Sequence, residues 1–155
     1  MNAALTVIHT PETESSALEL GKVLRSELSD FLSEYRIYNS TQLPPILEGG
    51  IFFMMSDSVL TMENLLISDL PYALILFNPK INEKLKEKLY SVKTPTLIIS
   101  CLEKKEFDSN STSFHDLISG SKMKILHKCN PSELGSKENS VARIVREFIS
   151  DLMIK

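Results

Sequence analysis

The chain has 155 residues, 43% hydrophobic and 24% charged, with a formal net charge of -3. That length fits one domain, 1–155, large enough to bury a full core. The acidic balance speaks against nucleic acid as a partner, since such proteins usually carry a basic face, and no run approaches the about 20 apolar residues of a membrane span.

The first apolar run is 5–9, followed by a polar turn and a helix over 16–31, where Leu20, Leu24, Leu28 and Phe31 recur at helical spacing. A short strand is expected at 35–38, and then a turn-rich stretch containing Pro44-Pro45. Gly49-Gly50 introduces 51–55, the most apolar strand. Ser56-Asp57-Ser58 ends it, and a helix over 59–68 follows, with Asp57 or Ser58 able to cap it. The fourth strand is 72–77, closed by Asn78-Pro79, and 81–92 reads as a helix with Lys/Glu pairs one turn apart. Thr94-Pro95 stops that helix before the strand 96–100. A polar loop, 102–113, leads to a short helix at 114–119 and a sixth strand at 124–127. A second polar loop, 128–139, precedes the closing helix 141–154.

Most of these strands are short and apolar on nearly every residue, as expected of strands covered on both faces. The pattern predicts an α/β fold: a three-layer α/β/α sandwich on a six-stranded, mostly parallel, doubly wound sheet of order 2-1-3-4-5-6. Ligands on such sheets sit at the carboxyl ends of the strands, so chemistry is expected in the residues just after each run.

Order and spacing resemble the α/β-hydrolase fold from its third strand to its last helix. Residues 6–10 look like the strand and turn that feed the oxyanion hole, 51–58 like the strand and nucleophile elbow, and 94–99 like the strand before the acid loop. Residues 124–134 and 138–152 look like the last strand, the histidine loop and the final helix. The resemblance implies a serine nucleophile, and it points to Ser56 or Ser58 with His127 and Asp108 as the constellation for a small serine hydrolase or esterase. Glu103 and Glu106 stand in the same acid loop.

The chemical motifs depart from that pattern. The elbow needs small residues two positions either side of the nucleophile. Met54 occupies one such place if Ser56 is the nucleophile, and Leu60 if Ser58 is; an Asp57 nucleophile would be flanked by Met55 and Val59. No histidine lies at 131–133, and Thr10 replaces the glycine expected after His9. Without a base a serine hydroxyl is a weak nucleophile. The sequence therefore leans toward a catalytically degenerate hydrolase-like protein that binds a small molecule or a protein partner, over an active serine hydrolase.

A pseudo-receiver module acting independently of phosphate is the alternative resemblance, carried by 73–79, 96–100 and 125–128. In that reading the phosphoacceptor strand ends in Phe77-Asn78 rather than in an aspartate, and the run 51–55 has no place among five strands. No cofactor motif or metal-ligand spacing is present. Cys101 and Cys129 read as two unrelated small residues in a reducing cytoplasm, the alternative being a redox or metal pair. The strand 35–38 falls at a sheet edge, which leaves open a homodimer through it.

Overall fold

The structure, a computed structural model, describes residues 3–61, 63–131 and 133–154. Met62, within the expected third-strand helix, and Ser132, within the expected histidine loop, lie outside the described residues.

Six strands form one sheet: β1 (Ala3–His9), β2 (Leu32–Asn39), β3 (Gly50–Met55), β4 (Pro71–Phe77), β5 (Thr96–Leu102) and β6 (Lys122–His127). Their order is β2-β1-β3-β4-β5-β6, as the sequence predicts, and every pairing in the expected mostly parallel sheet is parallel. The 51–55 run lies inside the sheet between β1 and β4, so the five-stranded receiver layout is not adopted. At its start Gly50 takes φ +142, and a Cβ there would come within 2.4 Å of the Ala4 carbonyl oxygen. Only glycine lets β3 enter this close to β1.

The period of two along each strand divides the core. Leu5, Val7, Phe53, Ile75 and Ile99 face one side. There they meet α1 (Glu14–Glu27) and α5 (Lys137–Ile154) through Leu20, Leu24, Val141 and Val145. Ile8, Phe52, Met54, Leu74 and Ile98 face the other side. That face is covered by Leu66 of α2 (Glu63–Leu66), Leu85 of α3 (Glu83–Lys86) and Phe114 of α4 (Ser109–Leu117). β6 departs from the doubly buried pattern: Lys122, Lys124 and His127 are exposed and Ile125 is 50% exposed, as suits a charged edge strand.

Helix ends differ from the sequence expectation for local reasons. α1 stops at Glu27, because Phe31 N bonds back to Leu28 O in a turn and Phe31 O accepts from Ala3 N to start β2. Phe31, expected on the helix, instead lies under the Arg146 guanidinium, 4.8 Å from its ring centre. Arg146 also pairs with Asp30 at 2.8 Å, fastening α5 to that turn. After β3 the chain makes a 3-10 turn, Ser56–Thr61, before the four-residue α2. The helix expected at 81–92 is split, since Lys88 N→Leu85 O and Ser91 N→Lys88 O bonds tighten its second half into a 3-10 turn, Leu89–Ser91. α4 begins at Ser109, inside the expected polar loop, because Asp108 caps it by accepting from Ser111 N at 3.0 Å.

Candidate functional site

Ser56, immediately after β3, has φ 52. A non-glycine residue in the left-handed region is uncommon, and it turns the chain sharply at the carboxyl end of a central strand. That places Ser56 at the tip of the turn, half-buried, with Oγ 3.5 Å from Asp57 Oδ1. Ser58 is wholly buried, and its Oγ donates to Ile8 O at 3.3 Å, tying the turn to the end of β1. Met54, bulky where the elbow rule asks for a small residue, packs into the same cluster as Val59, Leu65 and Leu66.

Three other chain ends converge on Ser56. Lys80 N donates to Ser56 O at 3.3 Å, which draws the segment after β4 across the turn. Glu12 and Thr13 come from the 3-10 turn Pro11–Thr13 after β1. Pro131 comes from the loop after β6, its carbonyl accepting from Ser16 Oγ at 2.8 Å. Together with Phe77 and Asn78 these residues line a cavity of about 210 Å³. Asn78, also left-handed at φ 45, uses its side chain to bridge to β5.

The amide at the end of β1 is already engaged: Thr10 N donates to Thr13 Oγ1 at 2.9 Å. His9 is buried, and its Nδ1 lies 2.9 Å from Thr10 O, so that nitrogen carries the proton in this contact. His127 is exposed at the end of β6, and no hydrogen bond links it to Ser56 or Asp108 among the described residues. His115 is exposed on α4, with Nδ1 3.1 Å from Ser121 Oγ. None of the three imidazoles lines the cavity at Ser56.

Asp108 is held by α4 and β5, with its carboxylate accepting from Ser100 Oγ and Ser111 Oγ, both at 2.7 Å. Burial pushes its pKa up, but the bonds from Ser100 and Ser111 and the charge of Lys80 outweigh that, and the net shift is downward. It lines a neighbouring cavity of about 190 Å³ that shares Asn78 and Lys80 with the first. Glu103 and Glu106 line a third, of about 380 Å³, with Cys101 and Pro131. The constellation pointed to by the sequence is thus dispersed: Ser56 in one cavity, Asp108 in the next, His127 in solvent and Ser58 in the core.

The reading of the cysteines as unrelated residues is corrected. Cys101 and Cys129 form a disulfide, with S–S 2.00 Å and Cα–Cα 5.2 Å, joining the end of β5 to the loop that carries Pro131. Their separation of 28 residues in sequence hides a close approach made by the parallel pairing of β5 with β6. Among the described residues no group of three or more His, Cys, Asp or Glu side chains is placed to hold a metal ion. No helix is long and apolar enough to cross a membrane, among the same residues.

No family model matches the chain, and no curated protein does. Solved structures do. The chain is similar to an enol-lactonase from Burkholderia xenovorans LB400, at TM-score 0.70 and 10% identity, over 97% of this chain and 92% of that one. It is similar to the carboxylesterase CesB from Bacillus subtilis at TM-score 0.66 and 11% identity, over 96% and 84%. It is also similar to a meta-cleavage product hydrolase from Pseudomonas fluorescens IP01, at TM-score 0.65 and 11% identity, over 97% and 91%. The polypeptide therefore has an α/β-hydrolase-like fold.

Proposed function

We propose that this chain is a catalytically degenerate α/β-hydrolase-like protein that acts by binding a small ligand or a protein partner. One observation carries the reading: the cavity at Ser56 is lined by Glu12, Thr13, Phe77, Asn78, Lys80 and Pro131, with no imidazole to take the serine proton. The engaged Thr10 amide supports it, since that group is bonded to Thr13 rather than turned toward a developing oxyanion. Ligand binding is assigned to this cavity, with the acidic chain binding neither nucleic acid nor membrane. Cytoplasmic residence accommodates the Cys101–Cys129 bond only as a pair that cycles with redox state, while an oxidising compartment would keep it closed.

The left-handed Ser56 at the strand tip favours a second reading, a small serine hydrolase or esterase using Ser56 or Ser58 with His127 and Asp108. A fluorophosphonate probe separates the two. The binding reading expects no covalent label on the native chain. Label that appears and is lost in Ser56→Ala or Ser58→Ala would establish the hydrolase instead.

A further inference from the structure

β2 is one edge of the sheet, bonded to β1 alone. Ser40 N donates to His9 O, and backbone polar groups along a strand alternate between its two sides. Glu34, Arg36 and Tyr38 therefore turn their backbone groups toward β1, while Tyr35 and Ile37 turn theirs outward. The side chains alternate across the other axis. Tyr35 and Ile37 pack on the α1 face. Glu34 and Arg36 share the opposite face and are ion-paired there, with Arg36 also 2.6 Å from Glu48. Charges on an edge strand ordinarily discourage pairing. Two opposite charges spaced two residues apart do the reverse when the strand meets a copy of itself.

We infer that a second copy of this chain pairs antiparallel with β2 about a two-fold axis through Tyr35. In that register each Glu34 stands opposite the Arg36 of the other copy, a non-hydrogen-bonded pair whose side chains are close. The outward N–H and C=O of the two Tyr35 residues exchange hydrogen bonds. An axis at Arg36 would oppose two guanidinium groups, and an axis at Ile37 would set the charges against uncharged Tyr38 and Ser40; charge selects Tyr35. The same register carries the second copy's Ile37 toward Ser33, where β2 is irregular against β1 and borders a cavity of about 430 Å³ between α1 and β2. An isologous contact of this kind closes as a dimer and leaves no further free β2 edge. It goes beyond the binding reading and holds whether or not Ser56 reacts.

Sedimentation equilibrium on the full chain tests it, with circular dichroism to confirm folding. The native chain is expected to dimerise as concentration rises into the high micromolar range. Glu34→Lys and Arg36→Glu each create like-charge pairs across the axis and should raise the dimer dissociation constant roughly tenfold. Equimolar mixing of the two variants makes both cross-axis pairs complementary and should restore dimerisation. A native mass of one chain at the highest concentration overturns the inference, as does a dimer that Glu34→Lys leaves unchanged. Failure of the mixture to recover, with both variants folded, overturns the register. Should Arg36→Glu not fold, Glu34→Lys decides alone, since the Glu34 side chain is 58% exposed.

Discussion

Asn78 grips both backbone groups of Cys101: its Oδ1 accepts from Cys101 N at 2.6 Å and its Nδ2 donates to Cys101 O at 3.1 Å. Its own amide donates to Ile99 O at 2.9 Å. One side chain therefore extends the β4–β5 ladder past the end of β4, in the left-handed conformation that asparagine tolerates better than most residues. Asn78→Ala should cost about 1–3 kcal/mol in urea unfolding, because it strands a donor and an acceptor. Asn78→Gly keeps the backbone freedom and isolates the loss of the two bonds. Asn78→Asp should be no better than Ala, since a carboxylate cannot donate to Cys101 O.

The disulfide beside it closes a loop over a sequence separation of 28 residues. Replacing Cys101 and Cys129 together by serine should lower unfolding stability by about 3 kcal/mol, mainly by freeing the unfolded chain. Native protein titrated with denaturant in the presence of a thiol reductant should approach the variant, and the variant should not respond to reductant.

Acid stability tests Asp108. Its pKa is lowered in the folded state, so the unfolded chain binds its proton first as pH falls. The stabilisation is present above the unfolded value of about 4 and is lost as pH drops through the lower folded value. Asp108→Asn should be less stable at neutral pH, with a shallower decline of the denaturation midpoint below about pH 4. Equal slopes in both proteins would show that the Ser100 and Ser111 bonds do not favour the charged carboxylate.

Gly21 lies inside α1, where a Cβ would sit 1.9 Å from the Tyr35 hydroxyl oxygen. Burial raises the Tyr35 pKa, partly offset by Arg25, whose guanidinium carbon lies 5.7 Å from the ring centre. Alanine normally gains about 1 kcal/mol over glycine in a helix. Here Gly21→Ala should destabilise instead, and Tyr35→Phe in the same chain should recover much of the loss. A double-mutant cycle on thermal unfolding measures the coupling.

The strands and their order were legible because burial on both faces writes itself as unbroken apolar runs; β3, Ile51 to Met55, is the plainest case. β2 and β6 run longer than their apolar residues predict, since edge strands carry residues such as Glu34 and Lys122 that read as loop. Ser56 could be nominated from sequence but not separated from Asp57 or Ser58, because a left-handed serine leaves no compositional mark. Asp108 was visible as an acid in a loop, while its task as the cap of α4 depends on Ser111 lying three residues on and on Ser100 arriving from β5. Cys101 and Cys129 each follow a strand that the sequence makes neighbours, which places them at one sheet edge, but the bond itself depends on the register of β5 against β6, which spacing and composition do not encode.

The order of the sheet also bears on how the chain is made. From β3 onward each new strand docks beside one already synthesised: β3 on β1, β4 on β3, β5 on β4 and β6 on β5. A nascent chain can lay down the sheet as it leaves the ribosome. The cover for one face arrives last, because Val141, Val145 and Ile149 belong to α5. Translation that halts before Lys137 leaves Leu97, Ile99 and their neighbours bare, a product fit for chaperones and proteases rather than for work.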